Sequence, residues 1–198
     1  MTAVTERGPM TVEAFLAWEE RQRTKHEFDR GEVFAMSGGS PRHNALAAAL
    51  IRDLGRALQG GPCRVLTSDQ KVALRSREKY VYPDASVVCG KFELDEGTRD
   101  VLTNPRVVVE VLSQSTEAYD RGVKWDGYRR LPSLSVYLLV SQTEVGLEMY
   151  TRLDDGSWRF THHGRGECFR IEGAELDVDA LYDGTFDLPG DDPPLPRP

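Results

Sequence analysis

The run Val107-Val108-Val109-Glu110-Val111-Leu112 decides the fold, because it is an apolar, β-branched segment interrupted by one carboxylate. Such a run predicts a buried strand of a central sheet. Desolvating an unpaired charge is costly, so Glu110 must be paired, protonated, hydrogen-bonded or bound to a metal. The segment at residues 81–88 also carries one acid, Asp84, among strand-forming residues. Two strands that each bring one carboxylate predict a cation site.

Segments on both sides of this run predict an alternation of helices and strands. A helix begins at Thr11, which suits an N-cap, and the best-defined helix begins at Ser40-Pro41 and ends at Gly60-Gly61-Pro62. Asp29-Arg30-Gly31 supplies the turn of a hairpin across residues 26–34. A further helix is predicted from Thr116 to Arg130, ahead of Pro132. Strands are predicted at residues 63–66, 71–74, 81–89, 107–112, 136–140, 146–150 and 158–161.

This order of elements predicts an α+β fold with a mixed β-sheet in a single domain. A chain of 198 residues is long enough to bury a core without disulfide or metal staples. The folded body is expected at residues 10–187. Residues 1–9 and the segment 188–198, which is rich in Pro and Asp, are expected to be flexible tails.

The overall charge bears on nucleic-acid binding and on location. With 25 basic and 32 acidic residues the net charge is −7, which argues against non-specific nucleic-acid binding by the whole surface. No apolar stretch approaches the roughly 18 residues of a membrane span, so we expect a cytoplasmic protein without membrane contact. A local basic patch is still compatible with this net charge, although runs of charged residues usually form solvent-exposed surfaces. Two clusters flank the acidic strands: Arg75, Arg77 and Lys79, and Arg121, Lys124, Arg129 and Arg130.

The cysteines Cys63, Cys89 and Cys168 are odd in number and widely separated, and no Cys-x-x-Cys pair is present. This pattern indicates neither a disulfide framework nor a zinc ribbon. Free cysteine usually packs as a small hydrophobic residue, so we expect buried, inert thiols.

The predicted helix after Glu110 carries Asp120, Lys124 and Tyr128 at i, i+4 and i+8, on one face. Taken alone, the helix favours a solvated Asp120–Lys124 pair, which contributes only tenths of a kcal/mol. A second interpretation places Lys124 over the cation site. There its ammonium would position a nucleophilic water or stabilise developing phosphorane charge.

Two motifs together carry a resemblance to a known family. Pro83-Asp84, followed 26 positions after the Asp by Glu110, is similar to the signature of PD-(D/E)XK nucleases, but Leu112 stands where the motif lysine is usual. The longer string from Glu110 through Ser113, Ser115 and Thr116 to Asp120, Lys124 and Tyr128 resembles the Uma-type (Uma-two) restriction endonuclease family, whose lysine lies on the following helix. Further matches are Glu27-Phe28-x-x-Gly31-Glu32-Val33, Ser40-Pro41-x-His43 and Leu131-Pro132-Ser133-Leu134. Gln114 departs from the family, which usually has Pro there.

The resemblance implies a restriction-endonuclease-like central mixed β-sheet flanked by helices, here with an extra N-terminal hairpin and C-terminal antiparallel strands. It also implies metal-dependent hydrolysis of DNA phosphodiester bonds. Asp84 and Glu110 would bind Mg²⁺ or Mn²⁺, with the Val111 carbonyl as an extra ligand, and Lys124 would orient the water. Glu27 would be an additional acid near the metal. Whether a homodimer is needed to cut both strands stays open.

Further residues could contact a phosphate, and other functions are compatible with the same sequence. His43 and Arg42 fall in the first turn of the Ser40 helix, where they could contact a phosphate, and Arg121 could do so from the later helix. A first-turn His is, however, more often a packing or capping residue. Two alternative functions remain: a catalytically inactive nuclease-fold module that binds nucleic acid or protein, and a hydrolase acting on a smaller phosphoester.

Overall fold

The computed structural model describes residues 9–74 and 78–191. Its α-helices are α1 (Val12–Glu19), α2 (Pro41–Ala57), α3 (Glu117–Tyr119), α4 (Trp125–Tyr128) and α5 (Val178–Tyr182). A π-helical segment, Asp120–Lys124, joins α3 to α4, and a 3₁₀ turn spans Thr185–Asp187. The strands are β1 (His26–Asp29), β2 (Glu32–Ala35), β3 (Cys63–Thr67), β4 (Lys71–Leu74), β5 (Lys79–Val81), β6 (Ala85–Cys89), β7 (Val101–Leu102), β8 (Val107–Val111), β9 (Val136–Val140), β10 (Gly146–Arg152), β11 (Trp158–Gly164), β12 (Cys168–Ile171) and β13 (Ala174–Asp177).

The larger sheet has six strands in the order β11-β10-β9-β8-β6-β3. Strands β8 and β9 are parallel, whereas the other neighbouring pairs are antiparallel. The central position of β8 explains its apolar sequence, because such a strand is covered on both faces. The α+β class with a central mixed sheet is confirmed.

The second sheet contains the predicted N-terminal hairpin and has the order β2-β1-β5-β4-β7. Arg30 and Gly31 form a two-residue turn with φ angles of 47° and 95°. Positive φ at both positions is the geometry of a type I′ turn, which matches the twist of the flanking strands. The hairpin is part of the larger sheet, because β1 also pairs with β5.

Helices cover both faces of the six-stranded sheet. On one face Leu46, Leu50 and Leu54 of α2 pack in one buried cluster with alternate strand residues such as Val109 and Leu138. On the other face the helical region 117–128 covers the remaining residues, and Tyr128 packs there in the second cluster. Because strand side chains alternate between faces, Glu110 points towards this second, helix-covered face.

The helix predicted from Thr116 to Arg130 is shorter and less regular than expected. Only Glu117–Tyr119 and Trp125–Tyr128 are α-helical, and the five residues between them form the π segment. The hydroxyl of Tyr137 on β9 donates a 3.0 Å hydrogen bond to the Asp120 carbonyl at the start of this segment. Such π segments are uncommon and often lie at functional sites.

The expectation of three buried thiols was wrong. Cys63 and Cys89 face each other in the register of β3 and β6 and form a disulfide, and Cys168 is exposed. Sequence separation gave no indication of this pair, because only strand pairing brings the two residues together. Half-buried cysteines at matched positions of antiparallel strands need no Cys-x-x-Cys spacing.

The ends of the chain differ from the expected boundary at residue 187. Residues 188–191 pack against Arg42, Gln114 and Gln142 through hydrogen bonds, in which their carbonyl and carboxylate oxygens accept from the buried side chains of Arg42 and Gln142 and from the backbone N–H of Gln114. The expected tails at 1–8 and 192–198 lie outside the described residues. Within the part of the chain that the structure describes, no helix has the length and apolarity needed to span a bilayer.

Candidate active site

The candidate site lies where the two sheets and the helix after β8 meet. Glu27 comes from β1 of the five-stranded sheet, and Glu110 comes from β8 of the six-stranded sheet. Asp84 follows Pro83 and directly precedes β6, next to the end of β8 in the antiparallel register. Lys124 comes from the π segment. The four predicted residues are thus brought together from four parts of the fold.

Lys124 is the hub of this cluster. Its Nζ lies 3.1 Å from Glu110 Oε1, 3.2 Å from Glu27 Oε1 and 3.2 Å from Asp120 Oδ1. Tyr128 donates a further 3.0 Å hydrogen bond to Glu110 Oε1. All five side chains are buried, with Glu27 at 0% and Lys124 at 4% exposure. The expectation of a solvated Asp120–Lys124 pair is therefore corrected, because the pair lies under the sheet rather than in water.

The charges in this cluster do not balance. Three carboxylates share one ammonium, and burial makes the imbalance costly. Burial raises the pKa of Glu110 well above its ordinary value. The attraction of Lys124 opposes this increase, whereas repulsion from the neighbouring acids Asp120, Asp84 and Glu27 adds to it. Burial likewise raises the pKa of Asp120. Burial alone would lower the pKa of Lys124, but the surrounding carboxylates outweigh it and raise this pKa well above the usual value.

Asp84 is the most accessible acid of the site, with 18% of its side chain exposed. Its Oδ2 accepts a 2.7 Å hydrogen bond from the Val111 N–H, which fixes it against the end of β8. The Nε2 of His43 lies 3.3 Å from the same oxygen. Although burial lowers the pKa of His43, the hydrogen bond and charge of Asp84 more than offset this and raise it. Gly39 leaves room for this imidazole, since a Cβ there would lie 2.5 Å from His43 Nδ1.

The donor set suits a hard divalent cation. Within residues 9–74 and 78–191 no group of three or more His, Cys, Asp or Glu is arranged to hold a metal by itself. Mg²⁺ does not require one, because it is usually bound by one or two carboxylates with water and substrate phosphate. The three carboxyl groups around one ammonium and the buried Oε2 of Glu27, which has no hydrogen-bond partner among the described residues, both favour a cation nearby.

Comparison with known sequences agrees with the arrangement of these residues. Residues 12–177 match the Uma2 family, described as "Putative restriction endonuclease". The chain belongs to the Uma2 family.

Two relatives come from Synechocystis sp.. The uncharacterized protein slr1290 is 40% identical over 177 residues, covering 88% of this chain and 92% of its own length. The uncharacterized protein sll1609 is 31% identical over 172 residues, covering 87% and 97%. A crystal structure of a protein from Anabaena variabilis, described as a putative nuclease belonging to DUF820, superposes with a TM-score of 0.73. It covers 89% of this chain and 99% of its own, and at 13% identity it supports the fold.

The Uma2-family chain does not place Arg42 where a DNA phosphate could reach it. Arg42 is buried, and its guanidinium donates to the carbonyls of Gln142 and Leu188 at 2.9–3.2 Å and lies over the Phe186 ring. Its first-turn position suggested an anion contact, but the C-terminal segment occupies its donors. Arg42 is therefore not carried into the proposed site.

Arg121 borders a cavity of about 260 Å³ next to the site, whose lining also includes Leu112, Gln142 and Asp191. Its guanidinium pairs with Glu117, at 2.8 Å, and with Glu148. The Arg121 charge is thus largely balanced within the protein.

The other expected basic residues are paired as well. Lys79 is buried and lies 2.8 Å from Asp29, and Arg129 and Arg130 both pair with Asp126. Arg75 and Arg77 lie outside the described residues. The predicted basic patch is accordingly weaker than its sequence suggests.

Sequence reasoning underestimated Asp120 and Tyr128. Both share the Lys124 face at helical spacing, which was visible in the sequence, but nothing there showed that this face is buried. The role of Tyr137, which donates a hydrogen bond to the Asp120 carbonyl of the π segment, is not indicated by any nearby sequence pattern.

Proposed function

We propose that the protein is a metal-dependent endonuclease that hydrolyses DNA phosphodiester bonds. The observation that carries this proposal is the convergence of Glu27, Glu110 and Lys124 from two sheets and a π segment beside Asp84. A structural salt bridge would need one acid, whereas Lys124 here contacts three buried carboxyl groups. Membership of the Uma2 family and the nuclease-like fold support the same reaction class.

Each residue has a proposed role in this reaction. Asp84 and Glu110 would hold Mg²⁺ or Mn²⁺, with the Val111 carbonyl as a third oxygen donor. The cation would act as a Lewis acid and lower the pKa of a water molecule. Lys124 would orient the attacking water and offset the charge that develops on the phosphoryl group. Glu27 and Tyr128 would hold Lys124 and Glu110 in position through the contacts they already make.

A cleavage assay tests this proposal. Supercoiled and single-stranded DNA are incubated with the protein and Mg²⁺, Mn²⁺ or EDTA, alongside Asp84→Ala and Lys124→Ala. Cleavage is expected only with a divalent cation, and each substitution should slow it by about 100-fold or more. Asp154→Ala, in the exposed β10–β11 turn, is the matched control and should cleave normally. Circular dichroism checks that the variants fold, and full activity of Asp84→Ala would exclude this site.

A catalytically inactive module that binds nucleic acid or protein is the second candidate. The burial of Lys124 favours it, because the residue is only 4% exposed and its contacts are already made within the protein. Cation-independent DNA binding without cleavage under any of these conditions would support the module over the enzyme.

A further inference from the structure

The C-terminal segment 188–191 returns to the candidate site and is held there by α2. The backbone N–H of Arg42 donates to the Pro189 carbonyl at 3.0 Å, and its guanidinium donates to the Leu188 carbonyl. Gly190 permits this close approach, since a Cβ there would lie 2.6 Å from Arg42 Nη1. These contacts direct the next residue, Asp191, towards the cavity beside β8.

The carboxylate of Asp191 accepts hydrogen bonds from two donors whose positions are fixed by the fold. Its Oδ2 accepts hydrogen bonds from Gln142 Nε2 at 2.9 Å and from the Gln114 N–H at 3.3 Å. Gln142 is only 2% exposed, and Ser40 donates to its Oε1 at 2.8 Å. The same Nε2 also donates to the Leu112 carbonyl at 2.7 Å. These contacts fix the orientation of the Gln142 amide, so one of its N–H groups points at the Asp191 carboxylate.

The position of the Asp191 carboxylate is next to the proposed metal centre. Gln114 lies four residues after Glu110, and Gln142 contacts the carbonyl of Leu112, two residues after Glu110. Within residues 9–74 and 78–191, no Lys or Arg forms an ion pair with Asp191. The two hydrogen-bond donors to this carboxylate in the described part of the chain are neutral, and another singly charged oxyanion can replace it without leaving a Lys or Arg unpaired.

We propose that the Gln114 N–H and the Gln142 amide form a subsite for a backbone phosphate of nucleic acid, which Asp191 occupies in the free protein as an internal competitor. A phosphodiester oxygen carries the acceptor capacity and charge that these two donors now satisfy with a carboxylate. The substrate would displace Asp191 into the adjoining cavity or solvent. This inference rests on the proposed function for its choice of ligand.

The test measures DNA binding without catalysis. Fluorescence anisotropy follows a short fluorescein-labelled DNA duplex in EDTA with the full chain and with Asp191→Ala. Opening the subsite and removing its competing charge should tighten binding by about three- to tenfold. Asp187→Ala removes the same charge from an exposed position in the 3₁₀ turn just before this segment and serves as the control. Equal affinities for the two variants, or no DNA binding by either, would overturn the proposal.

A second substitution separates the subsite from a general charge effect. Gln114 is the second residue of the turn closed by the 3.1 Å hydrogen bond from the Thr116 N–H to the Ser113 carbonyl. Proline suits this position, so Gln114→Pro removes the donor with little cost to folding. Added to Asp191→Ala, it should abolish the gain in affinity. If it leaves the gain intact, the subsite is wrong even where cleavage by the parent protein is normal, and a gain without cleavage would refute only the nuclease.

Discussion

Glu110 combines a buried position with a pKa that burial raises well above its ordinary value. A carboxyl group of this kind binds its proton more tightly in the folded than in the unfolded chain. Its contribution to the free energy of unfolding is therefore complete below the unfolded pKa, about 4.3, and is lost as the pH rises towards the folded pKa. Ionisation of Glu110 therefore weakens the fold as the pH rises.

Replacing Glu110 with glutamine, which has the same shape but cannot ionise, should remove this pH-dependent loss of stability. Relative to the parent, Glu110→Gln should gain at least about 1 kcal/mol in free energy of unfolding as the pH rises from about 5 to about 8, because the variant has no carboxyl to ionise. Urea denaturation in EDTA across this range measures the difference. Glu96→Gln, at an exposed position, is the control and should follow the parent curve. Parallel curves for parent and Glu110→Gln would contradict the assigned burial effect.

The helix after β8 is built around two glycines with different surroundings. Gly127 of α4 is buried, and a Cβ there would lie 2.7 Å from Leu74 Cδ1 of β4. Around Gly122 of the π segment, no atom of another part of the described chain lies within 4 Å of the same added group. Close packing of α4 on the five-stranded sheet helps to hold Lys124 between the two sheets, so this contact positions the site.

The two glycines should respond oppositely to substitution. Gly122→Ala should raise the free energy of unfolding by about 0.5–1 kcal/mol, because Ala restricts the unfolded chain and favours a helix. Gly127→Ala should lower it by about 1 kcal/mol, since overpacking against fully buried Leu74 exceeds that gain. Urea denaturation of both variants is the measurement. Equal stabilisation by the two would show that α4 does not pack so closely on β4.

The molecule as a whole places its surplus charge at the junction of its two sheets. Glu27 belongs to one sheet and Glu110 to the other, and Lys124 contacts both. A bound cation would reduce the repulsion at this junction in the folded state only, because the unfolded chain does not bring these residues together. Cation binding should therefore be linked to global stability.

Thermal unfolding with Mn²⁺ tests that linkage independently of catalysis. At a free concentration of about 100 times Kd, the cation should stabilise the protein by about 2.7 kcal/mol. Asp84→Asn should lose most of this effect, although its amide oxygen can still accept from the Val111 N–H. Asp154→Asn, in the exposed turn, should retain it. An unchanged response of Asp84→Asn would remove Asp84 from the cation site.

Much of the candidate site was accessible to sequence reasoning because its residues stand out locally. Glu110 interrupts an apolar strand, Asp84 follows a proline at a strand opening, and Lys124 repeats at helical spacing with Asp120. The Ser40-capped helix and the Arg30-Gly31 turn were also predictable, since caps and positive-φ turns depend on residues close in sequence. These features need no knowledge of distant contacts.

The sequence by itself determined most of the strands, the main helix and the candidate acids, because hydrophobic periodicity and isolated charges are local properties of the chain; it missed β7, β12 and β13 and joined β5 to β6. Only the tertiary structure decided that Asp120 and Lys124 are buried, that Cys63 meets Cys89, and that Arg42 binds the C-terminal segment. Each of these depends on strand register or on packing between residues far apart in sequence. Glu110 needed both: its pattern predicted a charge in a buried strand, and the fold supplied the three-to-one ratio of carboxylates to ammonium around Lys124.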